Sequence, residues 1–192
     1  MLLGLLVEHV TQHPFETELE SRIFGPLRMK DTSLPKTAAF PSPHSHGYEY
    51  GSTVGTLLPE PCDAATVGLH DITEINPSWG WSAGAAISTL RDLRVWAKAL
   101  VAGTLLKPAT QAERLEFLPV APGSPIGYGL HVNNVAGLIG HNGSLPGFQS
   151  FMCHNPASGA TIIVLVNVDP DAGCGLPADD VAISIAKELG FI

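Results

Sequence analysis

The sequence predicts an α+β fold in which helices come first and an antiparallel sheet follows. Helical periodicity dominates before residue 119, short strand-like runs joined by turn residues come next, and one more helical pattern ends the chain. Helices and strands that are segregated along a chain favour α+β, and short connections between strands favour antiparallel neighbours. We therefore expect a mostly helical and loop segment over 1–118, and a sheet with a flanking C-terminal helix over 119–192.

The composition excludes several classes of protein. The 192 residues are 45% hydrophobic and 15% charged, which excludes a disordered chain. The net charge is −8 and the ten Lys and Arg are scattered, which argues against a nucleic-acid surface. There is no apolar run of about 18 residues, as a transmembrane helix requires, and no basic region at the N-terminus, as a signal peptide requires. The mean hydropathy of +0.20 indicates burial in a core or against another chain.

The first elements are two helices and a long loop. Residues 2–12 are apolar on almost every side and predict a buried helix. Pro14 begins a second helix, which ends near Pro26. The segment 33–77 is rich in Pro, Gly, Ser and His and holds at most one short hairpin. A loop of this length either shapes a binding cleft or is disordered.

Two further helices are predicted in the middle of the chain. The first covers 85–102, where Ser88 or Thr89 is suited to cap its N-terminus. Asp92 stands three residues after Thr89, as in a capping box. Pro108 begins the second helix, which we expect to end near residue 118.

The last third of the chain predicts a meander of strands and a final helix. The strand-like runs are 126–132, 135–140, 148–153 and 160–168. The residues expected to form the turns between them are Asn133-Asn134, His141-Asn142-Gly143 and Pro156–Gly159. Asp179 is expected to cap a helix that runs to about Leu189.

The polar junction at His141-Asn142-Gly143 is the first candidate for chemistry. Gly143 and Gly147 allow the backbone to approach another group closely. A histidine at a strand end, beside exposed backbone N–H groups, is suited to acid–base and oxyanion chemistry. The alternative is a hairpin in which His141 and Asn142 only form turn hydrogen bonds.

A second candidate is the G-x-S-x-G pattern of Gly80 to Gly84, which would make Ser82 a nucleophile on an elbow. Such an elbow needs a buried strand before it and a helix after it. The helix is predicted, but Asn76 and Pro77 interrupt the expected strand. A Gly-flanked helix entry is therefore favoured over an active Ser82.

The pattern Ser-x-x-Lys, which places a serine next to a lysine base on a helix, occurs twice. Ser33 to Lys36 contains a proline and falls in the predicted loop. Ser184 to Lys187 falls on the last helix. Chance matches of this kind are expected in a chain with many serines, so neither is favoured as a nucleophile.

No metal or cofactor is predicted. The histidine pairs His44 and His46, and His9 and His13, lack a third nearby ligand. The three cysteines form neither a C-x-x-C pattern nor an even disulfide set: Cys62, Cys153 and Cys174.

An ordered set of short motifs runs through most of the chain. Its members are Leu2-Leu-Gly4, Pro26-Leu27 with Met29 and Asp31-Thr32, His46-Gly47-Tyr48, Asn76-Pro77, Ser82-Ala83-Gly84, Ser88-Thr89 with Asp92-Leu93, Gly127-Tyr128-Gly129-Leu130, Gly140-His141-Asn142-Gly143 with Pro146-Gly147, and Asn167. In this order and spacing they resemble the serine β-lactamase-like superfamily, which includes class C β-lactamases, D,D-carboxypeptidases and family VIII carboxylesterases. The resemblance implies a helical lobe packed on an antiparallel sheet.

The resemblance also implies roles for particular residues. In that superfamily a serine of Ser-x-x-Lys is acylated, and the lysine and a Tyr-x-Asn tyrosine move protons. His141-Asn142-Gly143 matches the Lys/His-x-Gly triplet that lines the cleft, so that the backbone N–H of Ser144 would be an oxyanion donor. Trp79 or Trp81 would line the same cleft. The implied substrates are β-lactams, D-Ala peptides or esters.

The departures from the family pattern shape the functional prediction. The chain contains no Tyr-x-Asn, and its two Ser-x-x-Lys matches lie where the family does not use them. We expect a C-terminal portion of the domain that is inactive alone, with self-association or a partner chain covering the surface left open. One alternative is a working esterase that uses Ser82 or a nucleophile from another chain. Another is a non-catalytic, penicillin-binding-like module that binds a peptide.

Overall fold

The computed structural model of the protein describes residues 1–50, 68–169 and 176–192. Part of the predicted loop, together with Cys62 and Cys174, lies outside the described residues. The helical elements are α1 Leu2–Thr11, α2 Phe15–Leu19 continued by a π-helical turn Glu20–Phe24 and by α3 Gly25–Leu27, a 3₁₀ helix Pro77–Ala83, α4 Leu90–Ala102, α5 Pro108–Arg114 and α6 Pro177–Glu188. None of the described helices is long and apolar enough to cross a membrane.

A six-stranded antiparallel sheet follows the helices, which confirms the predicted α+β class. Its strands are β3 Leu118–Pro119, β4 Ile126–Tyr128, β5 Asn133–Val135, β6 Leu138–Leu145, β7 Phe148–His154 and β8 Thr161–Val166, and they neighbour one another in chain order. A smaller sheet pairs β1 Tyr48–Tyr50 antiparallel with β2 Leu69–Asp71 and parallel with β9 Val168–Asp169. The antiparallel pair β1 and β2 lies in the segment for which at most one short hairpin was predicted, and most of the connection between the two strands lies outside the described residues.

Helices cover both faces of the large sheet because strand side chains alternate between the two faces. Ile139 and Met152 pack with α4 residues such as Leu100 in one buried cluster. Leu138 and Cys153 are the strand neighbours of Ile139 and Met152, and they pack with α6 in a second cluster. The two faces of β6 are thus distinguished by which helix they meet.

A buried carboxylate joins the chain after α3 to the start of α4. Thr89 caps α4 as predicted, since its Oγ1 accepts a hydrogen bond from the Asp92 N–H at 3.3 Å. The Asp92 side chain is only 2% exposed. Its Oδ2 accepts from the Asp31 N–H at 2.8 Å and from the Thr32 hydroxyl at 2.9 Å. The predicted capping box therefore forms only in part, because Asp92 turns to the 31–32 segment instead of back to Thr89.

The prediction that the first helix is buried is wrong for the described structure. Of the residues of α1, only Gly4 is buried, and Leu2 and Leu3 are 82% and 77% exposed. The Gly4 side faces Ser82, whereas the leucines project away from the described chain. Apolar composition predicted that the helix needs cover, but it could not identify what supplies that cover.

The predicted turns need correction as well. His141-Asn142-Gly143 lies inside β6, and the hairpin turn falls at Pro146-Gly147, where Gly147 has a φ of 81°. Asn133-Asn134 is part of β5, and the turn after it is Ala136-Gly137, where both residues have positive φ. Two left-handed central residues match the twist of a hairpin, so this turn breaks the run predicted as one strand over 135–140.

Two helix ends also differ from the prediction. Asp179 lies in the first turn of α6, and Leu176 precedes the helix instead. The side chain of Asp179 forms a hydrogen bond with β6, so it does not cap its own helix. The helix that begins at Pro108 ends at Arg114, because the following segment joins the sheet as β3.

Candidate active site

Strand β6 carries the predicted site residues on opposite faces. Alternation along the strand places His141 and Gly143 on the face of Ile139, which meets α4. Asn142 and Ser144 lie on the face of Leu138, which meets α6. The side chains of the matched triplet are therefore divided between two environments.

The backbone of β6 is hydrogen-bonded in two directions, and the two-residue turns fix which residues face which neighbour. Leu145 and Phe148 close the turn to β7, so Leu145 and every second residue before it bond to β7. The residues between them face β5, as the closing pair Val135 and Leu138 shows. The pairing with β5 extends only to Gly140. The N–H of Ser144 therefore points to the β5 side, beyond the end of that strand, and has no partner in either described ladder.

His141 is held by hydrogen bonds on both ring nitrogens. Its Nδ1 donates to the Asn142 carbonyl oxygen at 2.6 Å, and its Nε2 lies 3.0 Å from the Tyr128 hydroxyl. The His131 ring stacks on the His141 ring with centroids 4.8 Å apart, and His131 Nδ1 lies 3.5 Å from the same hydroxyl. Partial burial lowers the pKa of His131, and the charges of His141 and Arg114 lower it further.

Tyr128 and His131 are the residues that sequence reasoning missed. Tyr128 stood in the Gly127-Tyr128-Gly129-Leu130 motif of the resemblance, but no role was given to it. The sheet register brings the two residues to neighbouring positions, since Tyr128 pairs with Asn133 and Asn133 pairs with Gly140. A sequence-based register would not have joined them, because alternation places His141 on the other face of β6 from Gly140, and the contact between their side chains is seen only in the structure.

The opposite face of β6 is tied to acidic residues. Asn142 Nδ2 donates to Asp179 Oδ2 at 2.8 Å, and Ser144 Oγ donates to Asp169 Oδ1 at 2.8 Å. Burial raises the pKa of Asp179, and the hydrogen bond from Asn142 offsets part of that rise. The side chain of Asn142 therefore holds β6 against α6, and its part in substrate binding stays a prediction.

The predicted tryptophans and Ser82 lie in the 3₁₀ helix Pro77–Ala83. Trp81 has a left-handed φ of 35°, and its ring packs edge-on against Phe15 with centroids 5.4 Å apart. Trp79 is 55% exposed. Ser82 Oγ donates to the Met1 carbonyl oxygen at 3.3 Å. Ser82 lies within a 3₁₀ helix, whereas a nucleophile elbow needs a strand directly before the serine. The contacts shown for Ser82 are with Met1 and with Gly4 of α1.

The two Ser-x-x-Lys segments are engaged elsewhere. Ser33 pairs through its backbone with Ile87, and Lys36 forms an ion pair with Glu16. Ser184 Oγ donates to the Asp180 carbonyl oxygen at 2.8 Å on the exposed surface of α6. In neither segment do these contacts bring the serine to the lysine.

In each histidine pair considered for metal binding, one histidine contacts a single carboxylate. His13 Nδ1 lies 2.8 Å from Glu18, and His46 Nδ1 lies 2.7 Å from Asp71. Hydrogen bonds from Thr73, and the contact with His46, lower the pKa of Asp71 to about 2. Across the described ranges, no three His, Cys, Asp or Glu side chains are placed to hold a metal ion.

Comparison with known proteins agrees with the resemblance. A sequence model of the family described as Beta-lactamase matches residues 1–187. The structure is similar to a D-stereospecific amidohydrolase from Streptomyces sp., with a TM-score of 0.79 and 28% identity over 97% of this chain and 52% of that one. It is also similar to the D-amino acid amidase of Ochrobactrum anthropi SV3, with a TM-score of 0.77 and 28% identity over 97% of this chain and 54% of that one.

Among curated sequences, the protein named flp from Staphylococcus aureus strain MW2 is 26% identical over 175 residues. That alignment covers 88% of this chain and 32% of flp. The chain therefore spans about half of the similar solved chains and about a third of this curated relative.

Proposed function

Because the chain belongs to the beta-lactamase family, we propose that it forms the sheet side of an acyl-transfer cleft and does not carry out acyl transfer by itself. The observation that carries this proposal is the geometry of β6. His141 and Gly143 share one face, and the N–H of Ser144 points beyond the end of β5. A backbone N–H that is already in place where an oxyanion develops is worth about 3–4 kcal/mol of transition-state stabilisation.

The contacts around the three candidate serines support the second half of the proposal. Acyl transfer needs a nucleophile within hydrogen-bond reach of a base. Ser82 is bonded to a backbone carbonyl, and so is Ser184. Lys36, which completes the Ser-x-x-Lys pattern that begins at Ser33, forms an ion pair with Glu16. These contacts favour a nucleophile that comes from another polypeptide segment carrying Ser-x-x-Lys and Tyr-x-Asn.

We propose that such a segment covers α1. The exposed leucines of α1 form an apolar surface that would be costly to leave in water. Gly4, on the other side of the helix, fixes α1 against Ser82 and so gives the apolar side a defined orientation. The partner is therefore expected to bury Leu2, Leu3 and Leu6 while it brings its serine to β6. Self-association through the same surface is the alternative.

The substrate class proposed is an activated acyl compound. The similar solved proteins are described as a D-stereospecific amidohydrolase and a D-amino acid amidase. Amides and peptides of D-amino acids, β-lactams and esters all pass through an oxyanion that the Ser144 N–H would stabilise. We place D-configured amides first because both of those solved proteins carry that description.

The test uses a fluorophosphonate probe and a fluorescent penicillin on the purified chain, with labelled peptides located by mass spectrometry. The chain alone is expected to remain unlabelled. A polypeptide that carries the Ser-x-x-Lys and Tyr-x-Asn motifs is then added, and labelling is expected on its serine. Labelling of Ser82 in the chain alone would overturn the proposal and support the esterase alternative. Penicillin binding without labelling, lost in His141→Ala, would support the binding-module alternative.

A further inference from the structure

The hydrogen bonds around His141 have a defined direction. A carbonyl oxygen can only accept, so the 2.6 Å contact with Asn142 requires a hydrogen on His141 Nδ1. In a neutral imidazole the other nitrogen then carries a lone pair. The Tyr128 hydroxyl, 3.0 Å away, must therefore donate to His141 Nε2.

His131 lies next to the same Tyr128 hydroxyl. A hydroxyl that donates its one hydrogen to His141 keeps lone pairs for another donor. His131 Nδ1, at 3.5 Å, is the group placed to donate to it. The hydrogen bonds thus run in one direction, from His131 through Tyr128 to His141, and end on the Asn142 carbonyl. The distance between His131 Nδ1 and the Tyr128 hydroxyl is at the long end of hydrogen-bond distances. Such long distances are common in catalytic sites before a substrate is bound.

The three residues also span from solvent to the strand that carries the site. His131 is exposed, Tyr128 is at the surface, and His141 is half-buried on β6. His131 has a left-handed φ of 57° shortly before the chain enters β5, and its imidazole ring stacks on the ring of His141.

We propose that Tyr128 is a positioning residue that donates to Nε2 of the Nδ1–H tautomer of His141 and links His141 to His131 as a proton relay. The relay deepens the proposed function, on which its catalytic meaning rests. A proton taken up from solvent by His131 Nε2 leaves His131 as a cation. Its Nδ1–H then passes to the Tyr128 oxygen while the Tyr128 hydrogen passes to His141 Nε2. His131 ends neutral, Tyr128 is regenerated, and His141 holds one proton more.

Charged groups lie beside both histidines of the relay. The rings are 4.8 Å apart, well inside the Debye length of about 8 Å at physiological salt. Arg114 adds a positive charge next to His131, and Asp179, from α6, adds a negative charge that acts on the His141 side.

The test is the tautomer of each histidine, measured by nitrogen-15 NMR on the uniformly labelled chain at about pH 8, where histidine is mostly neutral. Single His131→Gln and His141→Gln variants assign the signals. Both histidines are expected as Nδ1–H tautomers, which free histidine populates less than Nε2–H. In Tyr128→Phe, His131 is expected to revert to Nε2–H, and the His141 Nε2 signal is expected to shift. Tyr48→Phe removes a tyrosine hydroxyl on the other sheet and is expected to change neither.

Two results would overturn the relay. One is a wild-type His141 in the Nε2–H form, which needs no variant to be observed. The other is a folded Tyr128→Phe protein in which neither histidine changes its tautomer. Because the tautomers are measured without turnover, a failure of the acyl-transfer proposal would leave this measurement unaffected. The two proposals can therefore be rejected separately.

Discussion

Gly4 of α1 lies directly against Ser82, so closely that a Cβ on residue 4 would stand 2.4 Å from the Ser82 Oγ and 2.5 Å from its Cβ. Ser82 also donates to the Met1 carbonyl oxygen at the start of the same helix. This contact joins two motifs of the family resemblance that are distant in sequence. It also explains a glycine inside a helix, where alanine would otherwise be more stable by about 0.5–1 kcal/mol.

Gly4→Ala is therefore expected to lower the free energy of unfolding by about 1–3 kcal/mol, because the added methyl group overlaps a short side chain that cannot swing away. The measurement is urea unfolding followed by circular dichroism. Ser82→Gly removes both overlapped atoms, so in that background Gly4→Ala should cost little or be stabilising. If the effects of Gly4→Ala and Ser82→Gly on the free energy of unfolding were additive, the contact with Ser82 would not be the reason for a glycine at position 4.

Two glycines of β6 should differ sharply in their tolerance of a methyl group. A Cβ on Gly140 would stand 1.9 Å from the Met152 carbonyl oxygen and 2.6 Å from the Cys153 Cα, which are backbone atoms. A Cβ on Gly143 would meet only the Ser150 Oγ, at 2.9 Å. We expect Gly140→Ala to cost about 3 kcal/mol or more, and Gly143→Ala about 1 kcal/mol or less. Equal losses in urea unfolding would contradict the strand register.

The buried carboxylate of Asp92 predicts a strong dependence on Thr32. Thr32→Val keeps the shape of the side chain but removes the hydroxyl that donates to Asp92 Oδ2. A hydrogen bond to a charged group contributes about 1.5–3 kcal/mol, and we expect a loss of that size in the free energy of unfolding. Thr110→Val, at an exposed position of α5, serves as the matched control and should stay within about 0.5 kcal/mol.

The bond from Asn142 to Asp179 predicts a pH-dependent effect. The folded-state pKa of Asp179 is raised above the ordinary 3.8, so Asp179 contributes most stability below pH 3.8 and loses it as the pH rises through the folded pKa. Asn142→Ala removes a donor to the ionised form, which should raise the pKa of Asp179 further. The variant should thus lose more stability at neutral pH than in acid.

This dependence is checked by carbon-13 NMR titration of the Asp179 carboxyl group and by urea unfolding above and below the transition. Ser184→Ala is a suitable control on α6, since its hydroxyl donates to a backbone carbonyl that does not titrate. If Asn142→Ala left the titration of Asp179 unchanged, the bond would have no electrostatic role.

Much of this fold follows from local sequence signals. Thr89 caps α4, and the strand-like runs at 148–153 and 160–168 contain most of β7 and all of β8. These predictions succeeded because caps and runs of strand-forming residues are properties of neighbouring residues. The position of His141 depended on more distant residues. Its Gly-flanked, polar neighbours favour a turn locally, but β7 supplies a partner for every residue from Ile139 to Leu145 and keeps the segment extended.

The contacts of the site were harder to predict for the same reason. The link between Tyr128 and His141 depends on side-chain conformation as well as on the register of three strands. That register is set by the turn at Ala136-Gly137, where an alanine adopts a φ of 51° that its residue type does not signal. The pattern of hydrophobic residues likewise predicted that α1 needs a cover but carried no information on its partner.

The assignment of the Ser144 N–H as an oxyanion donor predicts a difference between two substitutions at one position. Ser144→Ala and Ser144→Pro both remove the bond from Ser144 Oγ to Asp169, but only proline removes the N–H. Because that N–H faces the side where β5 has ended, proline costs no ladder hydrogen bond there. In the sample supplemented with a nucleophile-bearing chain, Ser144→Pro should slow acylation by about 10²–10³-fold relative to Ser144→Ala. Circular dichroism and unfolding curves establish that both variants are folded. The alanine variant accounts for the loss of the serine side chain, so any further loss in the proline variant comes from the missing N–H. Equal acylation rates in the Ser144→Ala and Ser144→Pro variants would therefore assign the oxyanion to another donor.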